Sequence, residues 1–294
     1  LVNEIANPRP TLQTYKYAMP GDEFVTQYEF FSYEVASRDF NEIETYKWKD
    51  QRLSGTRWGK DSSEIYFQRK DRTQDRHEVV RVDLETGEQS VLIEEYIKDS
   101  YVETKGISYI NDFSEMIWWS ERTGWGHFYL YDGNGNLKNP ITSGEFLASN
   151  IARIDTTNRV LYFTGNGKED GENPYYSHLY RVNFDGSGME LLNPGDGSHS
   201  TNISSTNNFF VDTYSRVDAE PNSILRDTKG ALVMDLESTD MSGLEEVGWQ
   251  FPEKFKVKSA DGVWDIYGVM WKPFDFDPEK KYPIIAHVYP GPQT

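Results

Sequence analysis

Serine hydrolysis on a strand-to-helix turn needs Gly-x-Ser-x-Gly, with an acid and then a histidine further along the chain. That pentapeptide does not occur in the 294 residues, and the turn-like Gly186-Ser187-Gly188 and Gly197-Ser198-His199 lack its spacing. The five histidines (His77, His127, His178, His199 and His287) form neither His-x-x-x-His nor His-Glu-x-x-His, so no metal-ligand set is expected. His127 and His178 precede apolar runs at matching positions of a repeat, which favours a packing role. Asp132-Gly133-Asn134-Gly135-Asn136 opens like a calcium loop. It then puts Leu137 where the turn glycine belongs and Ser143 where the bidentate glutamate belongs, which rejects that reading. Glu94-Glu95 and Glu245-Glu246 read as solvated turn charges. Asn202-Ile203-Ser204 is a glycosylation sequon only in a eukaryotic secretory setting. The absence of cysteine excludes disulfides, a thiol nucleophile and thiolate zinc sites, and no cofactor is expected.

The elements that would position such residues show a period of about fifty. Four apolar runs, Ile65-Tyr66-Phe67, Met116-Ile117-Trp118-Trp119, Val160-Leu161-Tyr162-Phe163 and Phe209-Phe210-Val211, each follow a polar turn. A second run comes about fifteen residues later: Val79 to Asp83, Phe128 to Asp132, Leu179 to Asn183 and Ala231 to Asp235. The last residues of these second runs (83, 132, 183, 235) lie 49, 51 and 52 apart. A hairpin module that cannot bury its own apolar face must stack on copies of itself, and this period suits propeller blades. Aromatics at 15% favour a pleated, half-buried surface, and no convincing window carries a 3.6-residue apolar period. Glu29 to Val35 with Ile43 to Trp48 reads as one more, irregular hairpin before the repeats.

Beyond about residue 238 the period stops. Phe255 to Lys258 and Trp264 to Trp271 read as an ordinary alternating hairpin. Tyr282 to Tyr289 is continuously apolar, the character of a strand covered on both faces in an α/β sheet. The expected fold is therefore all-β, a partial propeller of about four four-stranded blades over residues 1–238. Residues 239–294 are expected to hold a linker hairpin and the start of a second, α/β domain.

Net charge is −18, and Lys and Arg are too sparse and scattered to track phosphates, so nucleic acid is not an expected partner. The acidity reads as solubility, or more sharply as a chamber that attracts a cationic ligand such as a peptide amino terminus. No apolar stretch approaches the length that spans a bilayer as a helix.

Ser120 to Tyr131, with Ser177 to Val182, resembles blade strands of the dipeptidyl peptidase IV branch of the prolyl oligopeptidase family. Lys281 to Pro292 resembles that family's entry into its α/β-hydrolase domain, with its Tyr-x-Gly-Pro turn. The resemblance implies an eight-bladed propeller over a hydrolase domain, in a serine exopeptidase that cleaves after a proline near the substrate's amino terminus. It further implies that Tyr289 donates its hydroxyl to the oxyanion, and that the catalytic triad and the glutamates holding the substrate ammonium lie outside this chain. A peptide substrate and a periplasmic or secreted home follow from the same resemblance. A stand-alone propeller used as a binding platform is the alternative; a propeller glycosidase ranks lower, because no carboxylate pair stands out. Blades left without neighbours would expose apolar faces, so self-association into a homo-oligomer or a partly open array is expected.

Overall fold

The computed structural model describes residues 2–3, 9–12, 14–16, 18–19, 21–103 and 105–288. Two short pairs come first: β1 (Val2–Asn3) with β2 (Thr11–Leu12), and β3 (Phe30–Tyr33) with β4 (Phe40–Ile43). Four antiparallel four-stranded sheets follow in chain order. The first is β5 (Arg52–Trp58), β6 (Glu64–Lys70), β7 (Arg76–Asp83) and β8 (Gln89–Tyr96). The second is β9 (Ile107–Ile110), β10 (Glu115–Ser120), β11 (His127–Asp132) and β12 (Leu137–Pro140). The third is β13 (Leu147–Asp155), β14 (Val160–Asn166), β15 (Ser177–Asn183) and β16 (Glu190–Leu191). The fourth is β17 (Ser198–Ile203), β18 (Phe209–Arg216), β19 (Ala219–Asp227) and β20 (Leu232–Ser238). A single helical turn, α1 (Ser242–Glu245), and the hairpin β21 (Glu253–Lys258) with β22 (Asp265–Met270) complete the order. The expected blades and the later hairpin are thus present, and the early hairpin is present with its second strand at Phe40–Ile43.

The chain divides into two compact units, residues 1–144 with 184–187 and residues 145–183 with 188–294. In the first unit, alternate residues of β6 and β7 serve two cores, because successive side chains of a strand point to opposite faces. Ile65, Phe67, Val80 and Val82 pack with Ile43 of β4. Tyr66 and Val79 pack with Met116 and Trp118 of β10 and Tyr129 and Tyr131 of β11. Both faces of the central strands are therefore buried, which is why β6 and β10 read as continuous rather than alternating apolar runs. In the second unit, Tyr162, Leu179 and Leu192 meet Phe210 of the fourth sheet. Burying side chains of this size contributes about 1.5–3 kcal/mol each.

Aromatic packing also holds one strained turn. Asn111, Asp112 and Phe113, between β9 and β10, all take left-handed φ (50°, 52° and 64°), a conformation that costs a side-chain-bearing residue about 1–2 kcal/mol. The Phe113 ring stacks on Tyr66, 4.8 Å between centroids, and lies 4.9 Å from Tyr109, so burial across two sheets offsets the strain.

Two expectations need correction. In the first three sheets the second apolar run is the third strand, paired directly with the first run, as with Trp118 opposite Tyr129. In the fourth sheet Phe209–Arg216 instead pairs with Ala219–Asp227, and the run Ala231 to Asp235 falls on the edge strand β20. The third strand there is polar (Ala-Glu-Pro-Asn-Ser at its start), so the apolar signal passed to its neighbour. The second correction concerns the expected strand at Tyr282: residues 282–288 are not a strand, and Ile284 and Ile285 are 90% and 93% exposed. A doubly covered strand needs neighbours on both faces, and among the described residues nothing supplies them.

Candidate functional site

Tyr289, the residue on which the family resemblance places an oxyanion role, lies outside the described residues, as does the Pro290-Gly291-Pro292 turn. The described approach to it is anchored by the Tyr282 hydroxyl, which accepts from the Asp277 N–H at 2.9 Å, and by stacking of Tyr282 on Phe276. No helix among the described residues is long and apolar enough to cross a membrane, and none of their His, Asp or Glu clusters could hold a metal ion.

The two Glu-Glu pairs separate in environment. Glu245 and Glu246 are exposed at α1, as turn charges should be. Glu95 is buried on β8, where it accepts from the Trp118 indole N–H at 2.9 Å and binds the Arg122 guanidinium. It is therefore an internal anchor, not a solvated charge. Arg122, from the β10–β11 loop, stacks over Tyr129 at 4.4 Å. Burial works against its charge, but Glu95 and the Tyr131 hydroxyl outweigh that and raise its pKa. Spacing could not reveal this, because the alternation of β8 decides which glutamate points inward.

His127 and His178 sit at the starts of third strands, and His199 at the start of a first strand. His127 opens β11 with Nε2 at 2.9 Å from the Gly144 carbonyl and Nδ1 at 3.1 Å from the Thr142 hydroxyl, which also accepts from the Phe128 N–H. His178 holds the matching place on β15. Its Nδ1 faces the Asn193 carbonyl at 3.3 Å and its Nε2 faces Glu172 at 2.7 Å, while the Asn193 side chain accepts from the Leu179 N–H. The packing role expected for both is what the structure places there. His199 on β17 is bound through Nδ1 to Asp212 at 2.9 Å, and its ring lies 4.9 Å from that of His178. A histidine held by a buried aspartate is two parts of a hydrolase triad, but its Nε2 faces the Gly195 carbonyl at 3.2 Å instead of a hydroxyl. This pair therefore activates no nucleophile.

The second unit holds a cavity of about 560 Å³. The β14–β15 loop (Glu172, Tyr175, Tyr176) forms one wall, and the β21–β22 hairpin (Phe255, Tyr267) forms another. Its charged side chains are engaged: Glu172 meets the His178 ring, and Asp196, Lys254 and Lys256 pair with Arg216, Asp218 and Asp265. The lining thus mixes aromatic rings (Tyr175, Tyr176, Phe255, Tyr267) with acidic and basic side chains.

Successive four-stranded antiparallel sheets, packed face to face within each unit, are those of the β-propeller class. Residues 2–221 match the family model described as the dipeptidyl peptidase IV N-terminal region, and the chain belongs to that family. The dipeptidyl peptidase 4 of Trichophyton tonsurans is 28% identical over 235 residues, covering 75% of this chain and 29% of its own length. A crystal structure described as that of a dipeptidyl aminopeptidase IV from Bacteroides ovatus superposes with a TM-score of 0.73 at 25% identity, covering 96% of this chain and 42% of that one. Porphyromonas gingivalis dipeptidyl peptidase 4 gives a TM-score of 0.76 at 21% identity, with 94% and 39% covered. The chain thus spans less than a third of the length of that curated relative.

Proposed function

We propose that this chain is the gating part of a serine exopeptidase that removes short amino-terminal peptides after proline. Residues 1–238 shape the substrate chamber as the later propeller blades, and residues 239–294 lead into the hydrolase domain. The observation that carries this reading is the family match across residues 2–221, in a chain without any Gly-x-Ser-x-Gly. The nucleophile, acid and histidine then belong to a segment other than these 294 residues, and this chain contributes Tyr289 to the oxyanion hole. A preorganised hydroxyl aimed at developing negative charge stabilises a transition state by about 2.7–4 kcal/mol.

The test uses the intact enzyme. It should carry Gly-x-Ser-x-Gly and release chromophore from an Xaa-Pro anilide, and Tyr289→Phe should lower kcat about 10²–10³-fold with KM little changed. An intact protein without that serine sequence, or a Tyr289→Phe enzyme with unaltered kcat, would refute the respective assignment.

A further inference from the structure

We propose that Asn134 is a site of spontaneous covalent modification, where the Gly135 nitrogen closes a succinimide that opens to isoaspartate and loosens the contact between the first two sheets. This goes beyond the peptidase reading and does not depend on it. The chain contains the steps Gly133-Asn134-Gly135 and Gly165-Asn166-Gly167. In both, the glycine after the asparagine has no Cβ to keep its nitrogen away from the side-chain carbonyl. Locally the two steps are equivalent, and the fold separates them. Asn134 is exposed in the β11–β12 turn, and its side-chain amide makes no hydrogen bond among the described residues. Asn166, at the end of β14, is clamped. Its Oδ1 accepts from the Ser149 hydroxyl, and its Nδ2 donates to the Tyr175 and Tyr176 carbonyls at 3.2 and 3.1 Å. Ring closure at Asn134 must release one bond, from the Gly135 N–H to the Asp132 carbonyl at 3.2 Å. At Asn166 it must release all three that hold the amide.

The step needs only water. The Gly135 nitrogen gives its proton to solvent and bonds to Asn134 Cγ, while the Cγ–Nδ2 bond breaks and ammonia leaves. Water then opens the imide ring. Attack at the main-chain carbonyl carbon of Asn134 sends the chain through Cβ and Cγ, so isoaspartate carries an extra backbone atom and a new carboxylate. The turn has room for neither. A Cβ on Gly133 would lie 2.5 Å from the Phe113 carbonyl oxygen, and one on Gly135 would lie 2.2 Å from the Leu92 carbonyl oxygen of β8. A longer chain at this point therefore presses on the first sheet and on the strained turn before β10. The new charge also meets Asp132, whose carboxylate accepts from the Asn136 side chain and from the Asn134 and Asn136 N–H groups. Those bonds, the Asn136 side chain first, hold the Asp132 carboxyl below the usual carboxylate range, so the two carboxylates repel.

The intact protein is aged in warm, mildly alkaline buffer and then digested with trypsin, which puts the two asparagines on separate peptides, residues 123–138 and 160–168. Mass spectrometry reads the exchange of NH2 for OH, and labelling by an isoaspartyl methyltransferase reads isoaspartate. In the folded protein the 123–138 peptide should convert at least about tenfold faster, because hydrogen bonds hold the other amide. In urea both peptides should convert at similar rates, since unfolding removes the clamp on Asn166. Aged protein should denature at a lower temperature than fresh protein. Asn134→Gln, whose longer side chain closes the ring poorly, should keep its fresh value after the same treatment. Conversion of 123–138 no faster than that of 160–168 in the folded protein, or a difference that persists in urea, would overturn the site. Protein that carries isoaspartate at position 134 yet denatures like fresh protein would overturn the loosening.

Discussion

Neighbours on β7, Glu78 and His77 have opposite electrostatic requirements. Glu78 is completely buried and ionised between Arg69 Nε at 2.7 Å and Lys47. Removing one side of such a pair leaves a buried charge uncompensated, so Glu78→Gln should cost about 3–5 kcal/mol, read as a lower urea midpoint. His77 is held neutral. Burial, and then the charge of Lys70, pull its pKa down from 6.5 to about 4. The unfolded chain therefore binds a proton that the folded one refuses. Stability from this residue is complete above pH 6.5 and is lost as pH falls toward 4, a change of about 3 kcal/mol. Denaturation midpoints of the parent and His77→Gln, compared across that window, should converge on acidification. Parallel curves would contradict the assignment.

At the scale of elements, the turns between third and fourth strands begin with an aspartate that accepts from the backbone two to four residues on: Asp83, Asp132 and Asp227. A glycine closes each turn, but for different reasons. Gly135 has φ 87°, and a Cβ there would lie 2.2 Å from the Leu92 carbonyl oxygen of β8 in the preceding sheet. Gly230 makes the same approach to Leu192, at 2.9 Å. Gly87 has φ 75° with nothing within 4 Å. Gly87→Ala should thus cost about 1–2 kcal/mol through backbone strain alone. Gly135→Ala must also push two sheets apart and should cost at least twice as much, about 3 kcal/mol. Thermal denaturation of the two variants separates a turn requirement from a sheet-packing requirement.

At the scale of the whole molecule, apolar side chains remain uncovered on particular faces. Leu232, Met234 and Leu236 are exposed along β20, and Trp264 and Trp271 flanking β22 are each 70% exposed. Patches of this kind mark interaction surfaces or drive aggregation. The 294-residue chain in solution should show an apparent mass by light scattering that climbs with concentration. Leu232→Lys with Met234→Lys should reduce that climb. A clean monomer for the unaltered chain at all concentrations would contradict it.

The approximate repeat, the turns and two apolar strands in each of the first three sheets were legible in the sequence, because a pleated strand and a tight turn each leave a local signature. Ile65-Tyr66-Phe67 and Trp118-Trp119 announced their strands, and Asp132-Gly133 its turn. The role of Tyr289 rests on resemblance alone. Three features depended on contacts between residues far apart in the chain. Glu95, an inward anchor for Trp118 and Arg122, is indistinguishable in sequence from its solvated neighbour Glu94. Ala231 to Asp235 falls on an edge strand because Ala219–Asp227, polar at its start, is the partner of β18. The chain of contacts from Glu172 through His178 and His199 to Asp212 exists only because β15 lies against β17.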